Sequence, residues 1–387
     1  MSTVSTPQAL AGPPSPLYEL VWADEFDGTA VDTSKWHHRT DVKGWSSQRP
    51  ENVTIGDGLM TVHLRKERHR GMDYTGGGLV STVPFRYGYY ETRMKANAGS
   101  GWHPAFWTGA SDGTTTFPDY SRTEIDGFEI DTHQTHRTRH NIWLWLPGQD
   151  PDGPEEAGGR AHAPVITSGV YDLGFDTAAE FHTYGFEWTE DQVKYYVDSV
   201  LMYTASYPPL RYTQHDYANV WLSVLAIGFQ GSPGVDDTAL PAQVQWEYFR
   251  YYAKDSYTDN DGPSATRYGE TGTWHTGSLP GHTLENTSRY SEDPGATATW
   301  RGWLPAAGTY DVYAYTIAHP DGDTNARYDV DHGDGTATAL VNTRTGPTGW
   351  RRLGGPWPFA AGDNGLVTLT RGDGIAWADA VKFVRVS

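Results

Sequence analysis

The 387-residue sequence predicts an all-β protein. Apolar residues recur in short alternating runs, and nothing between Leu17 and Tyr252 holds a 3.6-residue period over three turns. The runs are broken by 44 Gly and 24 Pro, residues that turn a chain between short strands. Sixteen Trp and 24 Tyr suit the half-buried faces of pleated sheets. An all-β sandwich is the economical arrangement for Leu17 to Tyr252, and the chain is long enough for a second domain with its own core.

In chain order, residues 1–16 read as a disordered Pro/Ser/Ala leader, with neither the basic start nor the apolar stretch of a signal peptide. Residues 17–254 make the first domain. Within it, Gly148 to Ala163 reads as a long surface loop bordering the functional cleft, and Asp172 to His182 has room for one short helix. Around Lys254 to Pro263 the composition turns polar and turn-rich, which places the domain boundary there. So short a linker implies domains that touch. Residues 255–387 again alternate as strands, at Trp300-Arg301-Gly302-Trp303, Gly308 to Tyr315, Trp350 to Gly354 and Ala376 to Phe383. Trp274, Trp300 and Trp377 sit inside strand patterns, where burial is a commoner fate than sugar contact.

The net charge of −19 argues against binding to nucleic acid or an anionic membrane, and mildly against a strongly sulfated or polyuronate substrate unless a local basic cleft overrides it. With no cysteine, disulfides and Cys-ligated zinc are excluded. No apolar run approaches the ~18 residues of a membrane span.

The stretch Thr123-Glu124-Ile125-Asp126-Gly127-Phe128-Glu129-Ile130-Asp131 concentrates acids. Strand side chains alternate faces, so Glu124 and Asp126 share one face while Glu129 should fall on the other. The apolar residues change parity at the same point, from Ile125 to Phe128 and Ile130. One extra residue near Gly127, a β-bulge, resolves both conflicts and puts Glu124, Asp126, Glu129 and Asp131 on one face. Like charges so placed resist joint ionisation, a tension that glycoside hydrolysis uses by pairing a nucleophilic carboxylate with a protonated one. A solvated acidic strand, or one face of a calcium site, remains open on spacing alone.

The segment also resembles the E-x-D-x-x-E signature of family 16 glycoside hydrolases. Further blocks are similar to that family in the same order: Val21 to Gly28, Arg49 to Val53 with Asp57-Gly58-Leu59, Arg86 to Lys95, Gly101 to Trp107, Tyr184 to Trp188 and Trp246 to Tyr252. The resemblance implies a concanavalin-like jelly roll with a concave substrate cleft. It implies a retaining, endo-acting hydrolase of a β-linked polysaccharide, with Glu124 as nucleophile, Glu129 as acid/base and Asp126 between them. Retention comes from the resemblance, since four strand steps span roughly 13 Å against the ~5.5 Å between retaining carboxyls. Family positions that contact sugar match Asn52, Glu91, Arg93, Trp102, Trp107, His140 and Trp143. His103 is a departure, an extra residue between tryptophan and proline that bears on subsite shape. Ser223 to Phe229 is another, where laminarinase-like members carry Asn and a Gly pair. Together they leave agar- or carrageenan-type β-galactans level with β-1,3-glucans as substrates. A non-catalytic glycan-recognition protein and a transglycosylase are the alternatives on this fold.

No cofactor is implied for catalysis. A structural calcium is, at positions matching Glu25, Gly58 and Glu247, the last standing where the family usually has Asp. The blocks beyond Asp259-Asn260-Asp261 resemble the golvesin C-terminal domain, found also in xanthan lyases, which implies a smaller second β-sandwich with either a sugar-binding or a docking role. Polysaccharide as partner implies export from the cell, and a monomer is expected. Three other motifs fail on context. Gly109-Ala110-Ser111-Asp112-Gly113 spells a nucleophile elbow with no helix after it. His133, His136 and His140 would need a helix to converge on zinc, and the Asp-rich turns at 259–261 and 329–334 lack full calcium-loop spacing.

Overall fold

The structure, a computed structural model, describes residues 12–111, 113, 122–145, 165–206, 217–228, 231–282 and 287–387. Most of the leader and the whole Gly148–Ala163 loop lie outside these residues. The first domain is a jelly roll of two antiparallel sheets. One sheet runs in the order Val165–Asp172, Arg137–Trp145, Arg122–Glu129, Trp102–Gly109, Asn219–Ala226, Met72–Ser81 and Trp36–His38. Its partner orders Val200–Ser206, Gln192–Val197, His182–Trp188, Gly88–Lys95 and Ala242–Ala253. The last of these is edged by Glu19–Asp24 along one half and Leu59–His69 along the other.

Alternation explains the layering. Ile125, Phe128 and Ile130 from the first sheet, and Tyr90, Phe186, Trp246 and Phe249 from the second, all point into one core at 0% exposure. Tyr90 and Phe186 stack there at 4.4 Å and 12°. Residues of opposite parity in the first sheet face out, and there the sheet forms the cleft. The expected short helix at Asp172–His182 is absent. Asp176 instead caps a tight turn by accepting from the Ala178 amide, which holds the chain between two strands without a helical period.

Ala253 ends the last strand of the jelly roll, and Ser256–Asp259, within the polar stretch read as linker, pairs with Ala380–Arg385. This strand lies in a four-stranded sheet, with five-stranded and three-stranded sheets beside it. Trp300 is buried in the core between them, and Trp274 and Trp377 are also covered.

The two domains meet through a charged hub. Glu190 of the jelly roll accepts from His282 Nε2 at 3.1 Å, Trp350 Nε1 at 3.0 Å and Lys382 Nζ at 2.6 Å, all from the second domain. Arg385 reaches back to the Leu17 carbonyl at 2.7 Å and the Glu19 carboxylate at 2.9 Å. Burial alone would raise the Glu190 carboxyl, but the His282 hydrogen bond and the Lys382 charge outweigh it and hold it down at about 2. A lowered folded pKa gives stability that is complete above the ordinary glutamate range and is lost as pH falls from about 4 towards 2. Truncating one member of a fully buried charged network costs about 3–5 kcal/mol, and the partly exposed Glu190 carboxylate should cost less. Glu190→Ala should therefore lower Tm by several degrees at pH 7 and by less at pH 3, with calorimetry resolving separate transitions for the two domains.

Candidate active site

The Arg122–Glu129 strand is irregular where the sequence required it. Its register against Arg137–Trp145 slips between Asp126 and Glu129, and against Trp102–Gly109 between Asp126 and Phe128. Gly127 is the extra residue. Its backbone is not left-handed, so the need for glycine comes from packing. A Cβ there would sit 2.7 Å from the Phe186 ring and 3.0 Å from Phe106. The core rings press against the bulge and fix how far it turns the strand.

Glu124, Asp126, Glu129 and Asp131 consequently line one cavity of about 250 Å³ together with His103, Trp107, Arg139, Asn141, Trp143 and Trp145. Asp126 is the most buried of the acids. Burial, then the charges of Glu129 and Glu124, push its carboxyl well above the usual range, so it holds a proton between its neighbours. The Asn141 amide ties two of the acids together, donating to Asp126 Oδ2 at 2.9 Å and Glu129 Oε2 at 2.6 Å. Trp143 Nε1 donates to Asp126 Oδ2 at 3.3 Å, and Trp145 Nε1 to Glu124 Oε2 at 3.1 Å. The two indoles lie 5.8 Å apart and nearly parallel, a wall suited to the flat apolar face of a sugar ring.

Trp107 lines the cavity as expected, backed by Trp221 at 4.4 Å, with its Nε1 donating to Ser223 Oγ at 3.2 Å. Arg39, paired in a buried fork with Asp41, reaches the same hydroxyl from the other side. His103 lies between two acids, Nε2 2.9 Å from Glu129 Oε1 and Nδ1 3.0 Å from Asp131 Oδ1.

Five expected sugar contacts lie elsewhere. Trp102 is a core residue, edge-on to Tyr74, because it differs from Trp107 by an odd count along a regular strand. His140 points into the core for the same reason relative to Trp143. Its Nδ1 lies 2.7 Å from the Gly127 carbonyl and its ring packs on Tyr195. Glu91 and Arg93 share a face as predicted, but it is the outer face of the other sheet. Glu91 takes hydroxyls from Tyr89 and Tyr248, and Arg93 pairs with Glu247. Asn52 is fully buried and donates to the Gly76 carbonyl.

The residues expected to hold calcium carry other bonds. Glu25 grips Arg250 with both oxygens, at 2.8 and 2.7 Å, and Glu247 is taken by Arg93. Gly58 adopts the left-handed conformation at φ 73°, in the turn after Asp57. Each carboxylate thus already has a cationic partner, a poor fit to a divalent ion. Among the described residues no cluster of three or more acidic or histidine side chains is suited to a metal. Asn141, Trp145, Arg139, Lys43, Arg39 and Ser223 line the cavity without having been singled out as sugar contacts. The signal for three of them was alternation from Trp143, which selects 139, 141 and 145 and rejects 140.

An acid wall of this kind on one sheet of a jelly roll defines a glycoside hydrolase. Residues 41–248 match the family described as glycosyl hydrolases family 16, and residues 258–385 match the golvesin C-terminal domain. The chain belongs to glycosyl hydrolases family 16. It is similar to a β-glucanase of Rhodothermus marinus, 29% identical over 266 residues that cover 62% of this chain and 86% of that one. It is also similar to a kappa-carrageenase of Pseudoalteromonas carrageenovora, 28% identical over 209 residues, 46% of this chain and 49% of that enzyme. Among solved structures, SCLam, a non-specific endo-β-1,3(4)-glucanase, aligns with a TM-score of 0.50 and 27% identity over 63% of this chain and 97% of that one.

The buried proton on Asp126 has a measurable cost. Folding that raises a carboxyl's pKa makes the protein less stable as pH climbs above the unfolded value of about 3.9. Asp126→Asn keeps the acceptor for Asn141 and Trp143 and removes that cost. Its Tm should exceed the wild type's at pH 7, by about 2–4 °C for each kcal/mol recovered, with the gap closing as pH falls to 4 in thermal melts.

Proposed function

We propose that the protein is an endo-acting hydrolase of a β-linked polysaccharide that works by double displacement, with Glu124 as nucleophile and Glu129 as general acid/base. The observation that supports this most directly is the bulge at Gly127, which turns both glutamates into one cavity. In the first step a Glu124 oxygen bonds to the anomeric carbon as the glycosidic C–O bond breaks. The departing oxygen takes a proton from Glu129. In the second step Glu129 takes a proton from water, whose oxygen bonds to the same carbon and frees Glu124. Protonated Asp126 keeps a third negative charge out of the space between them, and the Trp145 indole holds Glu124 by hydrogen bonding.

Both β-glucan- and β-galactan-degrading relatives are consistent with this site, and a cleft open to either suits an endo-acting enzyme working on polymer outside the cell. The Ser223 hydroxyl and the Arg39, Lys43 and Arg139 side chains are the polar groups that would distinguish the substrates. The second domain, whose Trp274, Trp300 and Trp377 are buried, whose Trp350 bonds to Glu190 and whose Trp303 is exposed, fits a docking role at that junction.

A panel of laminarin, lichenan, agarose and carrageenans, with product masses read out, identifies the polymer; silence across a broad panel would favour glycan recognition without cleavage. On the active polymer, Glu124→Ala and Glu129→Ala should each lose about 10²–10⁴-fold or more in kcat with the fold intact. Azide should partly restore turnover to the Glu124 variant as a glycosyl azide. Near-normal turnover in either purified variant would overturn the assignment.

A further inference from the structure

We propose that His103 is a positioning residue that shares the catalytic proton with Glu129. The inference rests on the assignment of Glu129 as acid/base and goes beyond it.

The geometry leaves one place for that proton. Glu129 Oε2 is occupied by the Asn141 amide, whose nitrogen must be the inward atom because it faces carboxyl oxygens of both Asp126 and Glu129. Glu129 Oε1 faces His103 Nε2 at 2.9 Å. On the other side of the ring, Asp131 lies 3.0 Å from Nδ1. The Asp131 carboxyl, raised by burial but lowered more by His103, is held below the usual range, so it accepts and fixes the proton on Nδ1. Nε2 is then the atom that changes state. It either donates to the Glu129 carboxylate or accepts from the carboxylic acid, and both arrangements hold one proton between the two side chains.

The surroundings favour keeping that proton. The His103 side chain is only 8% exposed, and burial by itself would lower its pKa. The adjoining Glu129 charge and the Asp131 hydrogen bond outweigh burial and raise it to about 9. Among the described residues, the other charged or titratable groups facing this pocket are Glu124 and Asp126 on the acidic strand and Arg139 on the strand beside it. Beyond the acids lie His133, near Asp131, and Lys43 and the Arg39–Asp41 pair on the opposite rim. The two carboxylates lie within 3.0 Å of the imidazole nitrogens, and the balance favours the protonated pair.

In the glycosylation step the pair delivers its proton to the departing sugar oxygen, leaving a carboxylate and a neutral imidazole. The attacking water returns one in deglycosylation, so the count balances over a turnover.

The test is the pH profile of kcat/KM for wild type and His103→Gln. Glutamine keeps hydrogen-bonding capacity but cannot hold the proton. The wild-type alkaline limb is expected near the His103 value, about 9. In the variant it should move acidward by about two units, while the rate at pH 5–6 stays within roughly tenfold. A limb that does not move, with activity scaled equally at every pH, would reduce His103 to a structural contact and overturn the proposal. A second measurement does not need turnover: the imidazole of His103, followed by NMR in the intact protein, should titrate near 9 in wild type and markedly lower in Glu129→Gln. An unchanged titration would sink the shared proton even if His103→Gln fails to fold. If Glu129→Ala stays active, the acid/base assignment itself fails. If Glu129 is essential and the limb does not move, only the role of His103 falls.

Discussion

Four carboxyl groups crowded onto one buried wall is the constraint that shapes this protein. In water such a cluster would disperse, and inside a fold each negative charge raises the cost of the next. The structure meets the cost at each acid by a different means. Asp126 carries a proton, Glu124 takes an indole donor, Glu129 takes an amide and an imidazole, and Asp131 takes the same imidazole from the other side. None of this could be arranged on a regular strand. The bulge at Gly127 brings the acids to one face, and the Phe106 and Phe186 rings behind it hold the bulge in place. Site and core are therefore one object: a side chain added at Gly127 would disturb the aromatic packing and the placement of Glu129 together.

Parity was the most informative thing in the sequence. The odd separation of Glu124 from Glu129, with the switch from Ile125 to Phe128, located the irregularity to the residue. The same reasoning separates Trp102 from Trp107 and His140 from Trp143, and it places Asn141 and Trp145 in the cleft. Where resemblance was allowed to override alternation, the structure sided with alternation. Other features could not be read locally. Glu91 and Arg93 share a strand face as expected, yet which sheet that strand joins depends on pairing with Ala242–Ala253, about 150 residues away. The need for glycine at 127 comes from a ring at 186. The contact of His103 with Asp131 follows from the register that sets Ala105 against Glu129, and no spacing rule contains it. Fold class was legible because composition and turn residues are local properties.

Among the described residues the imidazole between two carboxylates appears twice, and the contrast bears on what would make one of them chemical. At the domain junction His282 lies between Glu190, at 3.1 Å, and Asp259, at 3.7 Å, and it too is raised to about 9 by its acidic neighbours despite burial. There Trp350 and Lys382 also bond to Glu190, so its proton has nowhere to go and serves only to hold two domains together. At His103 the corresponding glutamate borders a cavity lined by the other acids. The pairing energy is of the same kind in both places. What differs is whether a third oxygen can reach the carboxyl, and in the proposed mechanism the glycosidic oxygen is that third atom. A chain with 48 acidic residues and 29 basic ones has few cations to set against buried acids, and a histidine can hydrogen-bond two of them while cancelling one charge. In the cleft that economy leaves a proton within reach of the bond to be broken.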